Sequence, residues 1–178
     1  MSEPPAGERA APAKKATRAP ARRPRKKPAP KAPAPVQAVV FTLAGDEYAL
    51  PIGQVQEVIA YSEPRSIASR VSWVRGVINL RGTILPVCDL AARLGRRNRG
   101  AGDETRIIVV SGEVGSAGLI VGDVREVVTV APDQLDRVRV TDDPAVTAIA
   151  KLGERLVVML DAAAALADAN LGGVGSQA

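Results

Sequence analysis

The chain has no histidine, one cysteine, and only one tryptophan, two tyrosines and one phenylalanine in 178 residues. Without imidazole there is no phospho-accepting histidine, no Ser-His-Asp site and no His-ligated zinc. A lone cysteine forms no internal disulfide and no Cys-x-x-Cys pair. Cys88 lies in the apolar run Ile84-Leu85-Pro86-Val87-Cys88, where a thiol reads as a small buried hydrophobe. No apolar run approaches the ~18 residues of a membrane span, and the N-terminus carries no h-region of a secretory signal. Phosphate-binding G-x-x-x-x-G-K-[ST], H-E-x-x-H and G-x-S-x-G are absent as well. Gly112-x-x-Gly115-x-x-Gly118 is a glycine pattern with no helical pattern behind it, so it reads as a hairpin turn and not a nucleotide loop. The expectation is a reduced, cytoplasmic protein that inserts into no membrane, holds no metal or cofactor, and catalyses nothing.

Charge is present but divided. Residues 1–35 carry ten Lys/Arg against two Glu, a net +8, whereas the rest has fourteen basic and seventeen acidic residues, a net −3. This first stretch, almost entirely Ala, Pro, Lys and Arg, has too little apolar surface to offset the entropy of ordering. It reads as a disordered, partly extended tail, and residues 171–178 as a flexible C-terminus. Arg22, Arg23, Arg25, Lys26 and Lys27 form its densest basic cluster and could meet a polyanion through salt-sensitive contacts. No aromatic residue lies among them for base stacking.

From residue 36 to 170 short β-type runs alternate with turn residues: 39–43, 48–52, 84–88, 106–111, 117–121, 127–130 and 156–160. Helical pattern is confined to 89–94 and 161–169. Many short strands with few helices predict a closed, barrel-like all-β architecture. An internal repeat divides it. Leu50-Pro51-Ile52-Gly53-Gln54-Val55-Gln56-Glu57-Val58-Ile59 aligns with Leu119-Ile120-Val121-Gly122-Asp123-Val124-Arg125-Glu126-Val127-Val128 at an offset of 69. Ile84-Leu85-Pro86-Val87-Cys88-Asp89-Leu90 aligns with Leu156-Val157-Val158-Met159-Leu160-Asp161-Ala162 at 72. Asp89 and Asp161 stand where helix N-caps belong, and capping is the expected role of both.

Gly76-Val77-Ile78-Asn79-Leu80-Arg81-Gly82-Thr83-Ile84-Leu85-Pro86-Val87-Cys88-Asp89-Leu90 carries the sharpest signal. It joins two β-type runs through a charged corner, with Gly82 free to turn. Arg81 reads as either a solvated loop residue or a contact residue, and Asn79 as the residue that fixes the bend by bonding backbone. This segment resembles the signature of the CheW-like family, adaptors that couple chemoreceptors to a histidine kinase, and the resemblance extends over about 39–166. It implies two SH3-like five-stranded β-barrel lobes sharing a core, with short helices. It also implies an apolar groove for a receptor's helical hairpin, formed by Val55, Glu57, Val58, Gly76, Arg81 and Val127, with an Arg81–Glu57 contact at its rim and Asn79 and Gly82 as the structural corner.

The resemblance implies two partners, the cytoplasmic tip of a chemoreceptor and the regulatory domain of a CheA-type kinase, within a cytoplasmic array at the membrane. The tail leaves an alternative, a nucleic-acid-associated protein placed at the nucleoid. Two departures from the family pattern stand out: residues 148–153 carry alanines where glycines are common, and residues 131–143 hold no aromatic. Trp73 is expected to pack between the lobes.

Overall fold

Val36–Leu43 (β1) and Asp46–Pro51 (β2) are joined by two residues, Ala44 and Gly45, both at positive φ, 53° and 97°. A two-residue loop of this hand follows the twist of paired strands and sets the register of Leu43 opposite Asp46. The computed structural model describes residues 34–97, 100–112, 115–137, 141–167 and 169. The basic cluster Arg22, Arg23, Arg25, Lys26 and Lys27 and residues 171–178 lie outside them.

After a 3-10 turn at Ile52–Gln54 come β3 (Val55–Ala60), β4 (Val74–Leu80), β5 (Thr83–Asp89) and α1 (Leu90–Arg93). The second half runs β6 (Arg106–Gly112), β7 (Gly115–Val121), β8 (Val124–Val130), β9 (Leu135–Asp136), β10 (Val146–Leu152), β11 (Arg155–Leu160) and α2 (Ala162–Leu166). These strands form a five-stranded sheet in the order β3-β6-β7-β5-β4 and a six-stranded sheet in the order β8-β1-β2-β11-β10-β9. The all-β, two-lobed expectation holds, with the two-residue β9 as an added edge.

The two orders are the same pattern written twice. The β1-β2 hairpin of the first repeat sits in the sheet completed by β8, β10 and β11, and the β6-β7 hairpin of the second repeat sits with β3, β4 and β5. Each repeat therefore lends its hairpin to the other. The loan is fixed by parallel pairs, Val158 beside Tyr48 and Cys88 beside Leu119, which no tight turn could produce.

Strand alternation sorts side chains into three interiors. Leu85, Val87, Ile107, Val109 and Ile120 fill the five-stranded lobe, and Val40, Ala49, Val157 and Met159 fill the six-stranded one. The opposite faces of both sheets meet in a shared core containing Phe41, Leu50, Cys88, Ile108, Leu119 and Leu160. Phe41 is fully buried, with its ring centroid 6.4 Å from that of Tyr48. Removing such a ring typically costs about 3–5 kcal/mol. Trp73 packs half-buried against this shared core, with the Arg93 guanidinium 5.7 Å from its ring centroid.

Both aspartates cap as expected. Asp89 Oδ1 accepts from Ala92 N at 3.0 Å and Asp161 Oδ1 from Ala164 N at 2.8 Å. Burial in the shared core pushes the Cys88 thiol up to about 12, so it stays protonated and unreactive at neutral pH.

Candidate functional site

The corner between β4 and β5 is a two-residue turn in which Arg81 and Gly82 both take positive φ, 51° and 86°. Glycine accepts this region freely, whereas an L-residue gives up roughly 1–2 kcal/mol in it. The turn is held by Asn79, whose Oδ1 accepts from Gly82 N at 2.8 Å. Arg81 then reaches β3: its Nη1 and Nη2 donate to Glu57 Oε1 and Oε2 at 3.1 and 2.8 Å.

β3 and β4 are the two edge strands of the five-stranded sheet, so this bidentate pair spans the seam where the curled sheet comes back on itself. Arg81 keeps 75% of its side chain exposed, against 30% for Glu57. An exposed ion pair of this kind adds only about 0–1 kcal/mol, which does not clearly offset the left-handed backbone beneath it.

The structure brings Glu57, Val58, Asn79, Arg81 and Gly82 to one corner of the five-stranded lobe. Val58 follows Glu57 on β3 and is 41% exposed, while Val55 is half-buried against the shared core. Gly76 is different. It is buried with φ at 146°, and a Cβ there would collide with the carbonyl of Arg65, which exchanges hydrogen bonds of 2.8 and 2.9 Å with Val77. Its bare Cα lets the segment ahead of β4 lie against the strand, so it offers no side chain and no open face to a partner. Val127 is exposed but stands on β8, in the other sheet.

Other features of this corner were not read from the sequence. Ile84 on β5 is 48% exposed, and with Ser62, Glu63, Arg65, Val77 and Asn79 it lines an open depression of about 430 Å³. Glu63 and Arg65 bring charge to its lining. No periodic signal marked Ile84, because the run it begins is apolar throughout.

The internal repeat supplies a comparison for Arg81. Glu126 occupies the place of Glu57 at the offset of 69, and it too is held by an arginine. Arg155 Nη1 donates to Glu126 Oε1 at 2.8 Å, while Nε and Nη2 grip Glu47 at 3.0 and 2.9 Å. Hydrogen bonding to Arg155 holds the Glu47 carboxyl below its ordinary value, and the two carboxylates together raise Arg155. Arg155 is thus committed to two acids, and Arg81 to one on a more exposed side chain. The match of Glu57 with Glu126 was the available signal; the second arginine sits two places from where the 72 offset puts it.

Among the described residues no group of three His, Cys, Asp or Glu could hold a metal ion, and no helix is long and apolar enough to cross a membrane.

Comparison with known proteins agrees with this fold. A family model described as a CheW-like domain matches residues 37–170. The chain is 33% identical over 132 residues to the chemotaxis protein CheW of Bacillus subtilis, covering 72% of this chain and 85% of that protein. Against the CheW of Thermotoga maritima it is 33% identical over 129 residues, covering 68% and 83%. It superposes on the crystal structure of the scaffolding protein TtCheW from Thermoanaerobacter tengcongensis with a TM-score of 0.69 at 34% identity, covering 75% of this chain and 93% of that one. The chain belongs to the family of CheW-like domain proteins.

Proposed function

We propose that this protein is a non-catalytic adaptor that couples chemoreceptors to a CheA-type histidine kinase, and that Arg81, Glu57, Val58 and Val55 form its receptor-contacting surface. The observation that carries the site is the contrast within the molecule. Two arginines bridge equivalent glutamates, yet only Arg81 is set on a left-handed turn and left three-quarters exposed. Backbone held in a costly conformation with little stability in return points to use by a partner. A guanidinium on one carboxylate still has N–H groups to donate to a second acceptor on an incoming helix.

Binding energy then does the work of signalling. An adaptor that holds receptor and kinase together lets receptor state bias the kinase without chemistry of its own. Co-sedimentation tests this: a kinase should pellet with a membrane-anchored receptor fragment only when this chain is present. A kinase that pellets equally well without it refutes the adaptor role. Repeating the assay in rising salt with residues 1–35 deleted separates this reading from the nucleic-acid alternative, since polyanion binding through the tail would fall steeply and groove binding should survive the deletion.

A further inference from the structure

We infer that Gln54 is a positioning residue for the receptor-contacting surface: its carboxamide fastens the turn that launches β3 to the start of α2, so the second repeat sets the edge that carries Glu57 and Val58. The inference rests on the reading of that surface given above.

Gln54 closes the 3-10 turn through which the chain leaves the six-stranded sheet and enters the five-stranded one. None of the three residues of this turn is buried and no side chain caps it, so packing alone does not fix its position. The carboxamide does. Gln54 Nε2 donates to Asp161 Oδ2 at 2.7 Å, and its Oε1 accepts from Ala162 N at 2.9 Å. The Asp161 carboxylate is divided between two tasks, one oxygen capping α2 and the other holding Gln54.

The hold continues along the strand. Gln56 Nε2 donates to Ser111 Oγ at 2.8 Å and its Oε1 accepts from Ser116 Oγ at 2.9 Å, which fastens it across the β6-β7 hairpin. Glu57 grips Arg81 next, and Val58 is the first side chain left free. At the matching position of the second repeat the crossover is held differently. Asp123 N donates to Thr42 Oγ1 at 2.9 Å, and its carboxylate lies 3.9 Å from Arg125. The glutamine bridge therefore belongs to the lobe whose arginine is open. A surface fixed before its partner arrives loses less freedom on binding.

A swap of the two partners tests this in the full-length chain, by affinity for a receptor cytoplasmic-tip fragment and by thermal midpoint. Gln54→Glu sets two carboxylates at 2.7 Å, and Asp161→Asn sets amide against amide. Each single change should weaken receptor binding about tenfold. The double variant reverses donor and acceptor: Asn at 161 donates to Glu at 54 and still caps Ala164, while Glu at 54 still accepts from Ala162. It should recover affinity to within about twofold of the unsubstituted chain.

A residue important only for stability would shift the melt of the single variants and leave the affinity of their folded fraction unchanged, which overturns the inference. A double variant as weak as the singles overturns it too, and decides the matter should either single variant fail to fold. Arg81→Ala is measured alongside. If it weakens binding and the Gln54 variants do not, only the inference fails; if it binds like the unsubstituted chain, the surface itself is wrong and the inference goes with it.

Discussion

Replacing Arg81 with glycine separates binding from folding more cleanly than replacing it with alanine. The loss on the folded side is the bidentate pair with Glu57, which at 75% exposure is worth about 0–1 kcal/mol. The gain is relief of a non-glycine residue at φ 51°, roughly 1–2 kcal/mol, reduced by the extra freedom glycine brings to the unfolded chain, about 0.4–1 kcal/mol. The net change lies between a loss of about 1 kcal/mol and a gain of about 1.6 kcal/mol, so the midpoint should fall by no more than about 4 °C in a domain of this size. Removing a charged hydrogen bond to the receptor should cost about 2 kcal/mol, or close to thirtyfold in affinity. Circular dichroism melts and isothermal titration with a receptor cytoplasmic-tip fragment measure the two separately. A midpoint lowered by ten degrees or more, with the folded fraction binding as before, would refute the reasoning.

Three further outcomes follow from the same geometry. Gly76→Ala drives a Cβ into the Arg65 carbonyl at a φ of 146°, so urea unfolding should show a loss of roughly 2–4 kcal/mol, and any binding defect should track the folded fraction. Glu47 has its folded value depressed below 4.5 by Arg155. Its contribution is present above about pH 4.5 and disappears as pH falls through the lower folded value; thermal melts from pH 6 to pH 3 should show a slope that flattens in Arg155→Ala. Cys88, pushed up to about 12 by burial, should react with a thiol reagent only on unfolding, and fast labelling of the native protein would contradict its place in the core.

Much of this was legible in the chain because local rules and the final fold agree. Asp89 and Asp161 announce helix starts, since only a short acceptor ahead of an apolar turn satisfies the free N–H groups there, and both do so. Asn79 and Gly82 announce the bend for an equally local reason. Strand exchange was not legible, because residues 50–59 and 119–128 record which stretches resemble one another and not which sheet each joins. The packing role of Gly76 was not legible for a related reason: what it makes room for is the carbonyl of Arg65, eleven positions earlier in the sequence. Arg155 escaped notice because its acids, Glu47 and Glu126, are distant in sequence and meet only once the six-stranded sheet has curled.

The loan of hairpins between repeats bears on how the protein is made. Tyr48 leaves the ribosome early, yet its parallel neighbour is Val158, and Glu57 rests on a strand whose ladder partner, Val109, belongs to the second repeat. Neither sheet can be completed during synthesis of the first half: the five-stranded sheet that carries the Arg81 corner waits for β7, which ends at Val121, and the six-stranded one for β11, which ends at Leu160. A product truncated before these strands would present raw strand edges to its surroundings.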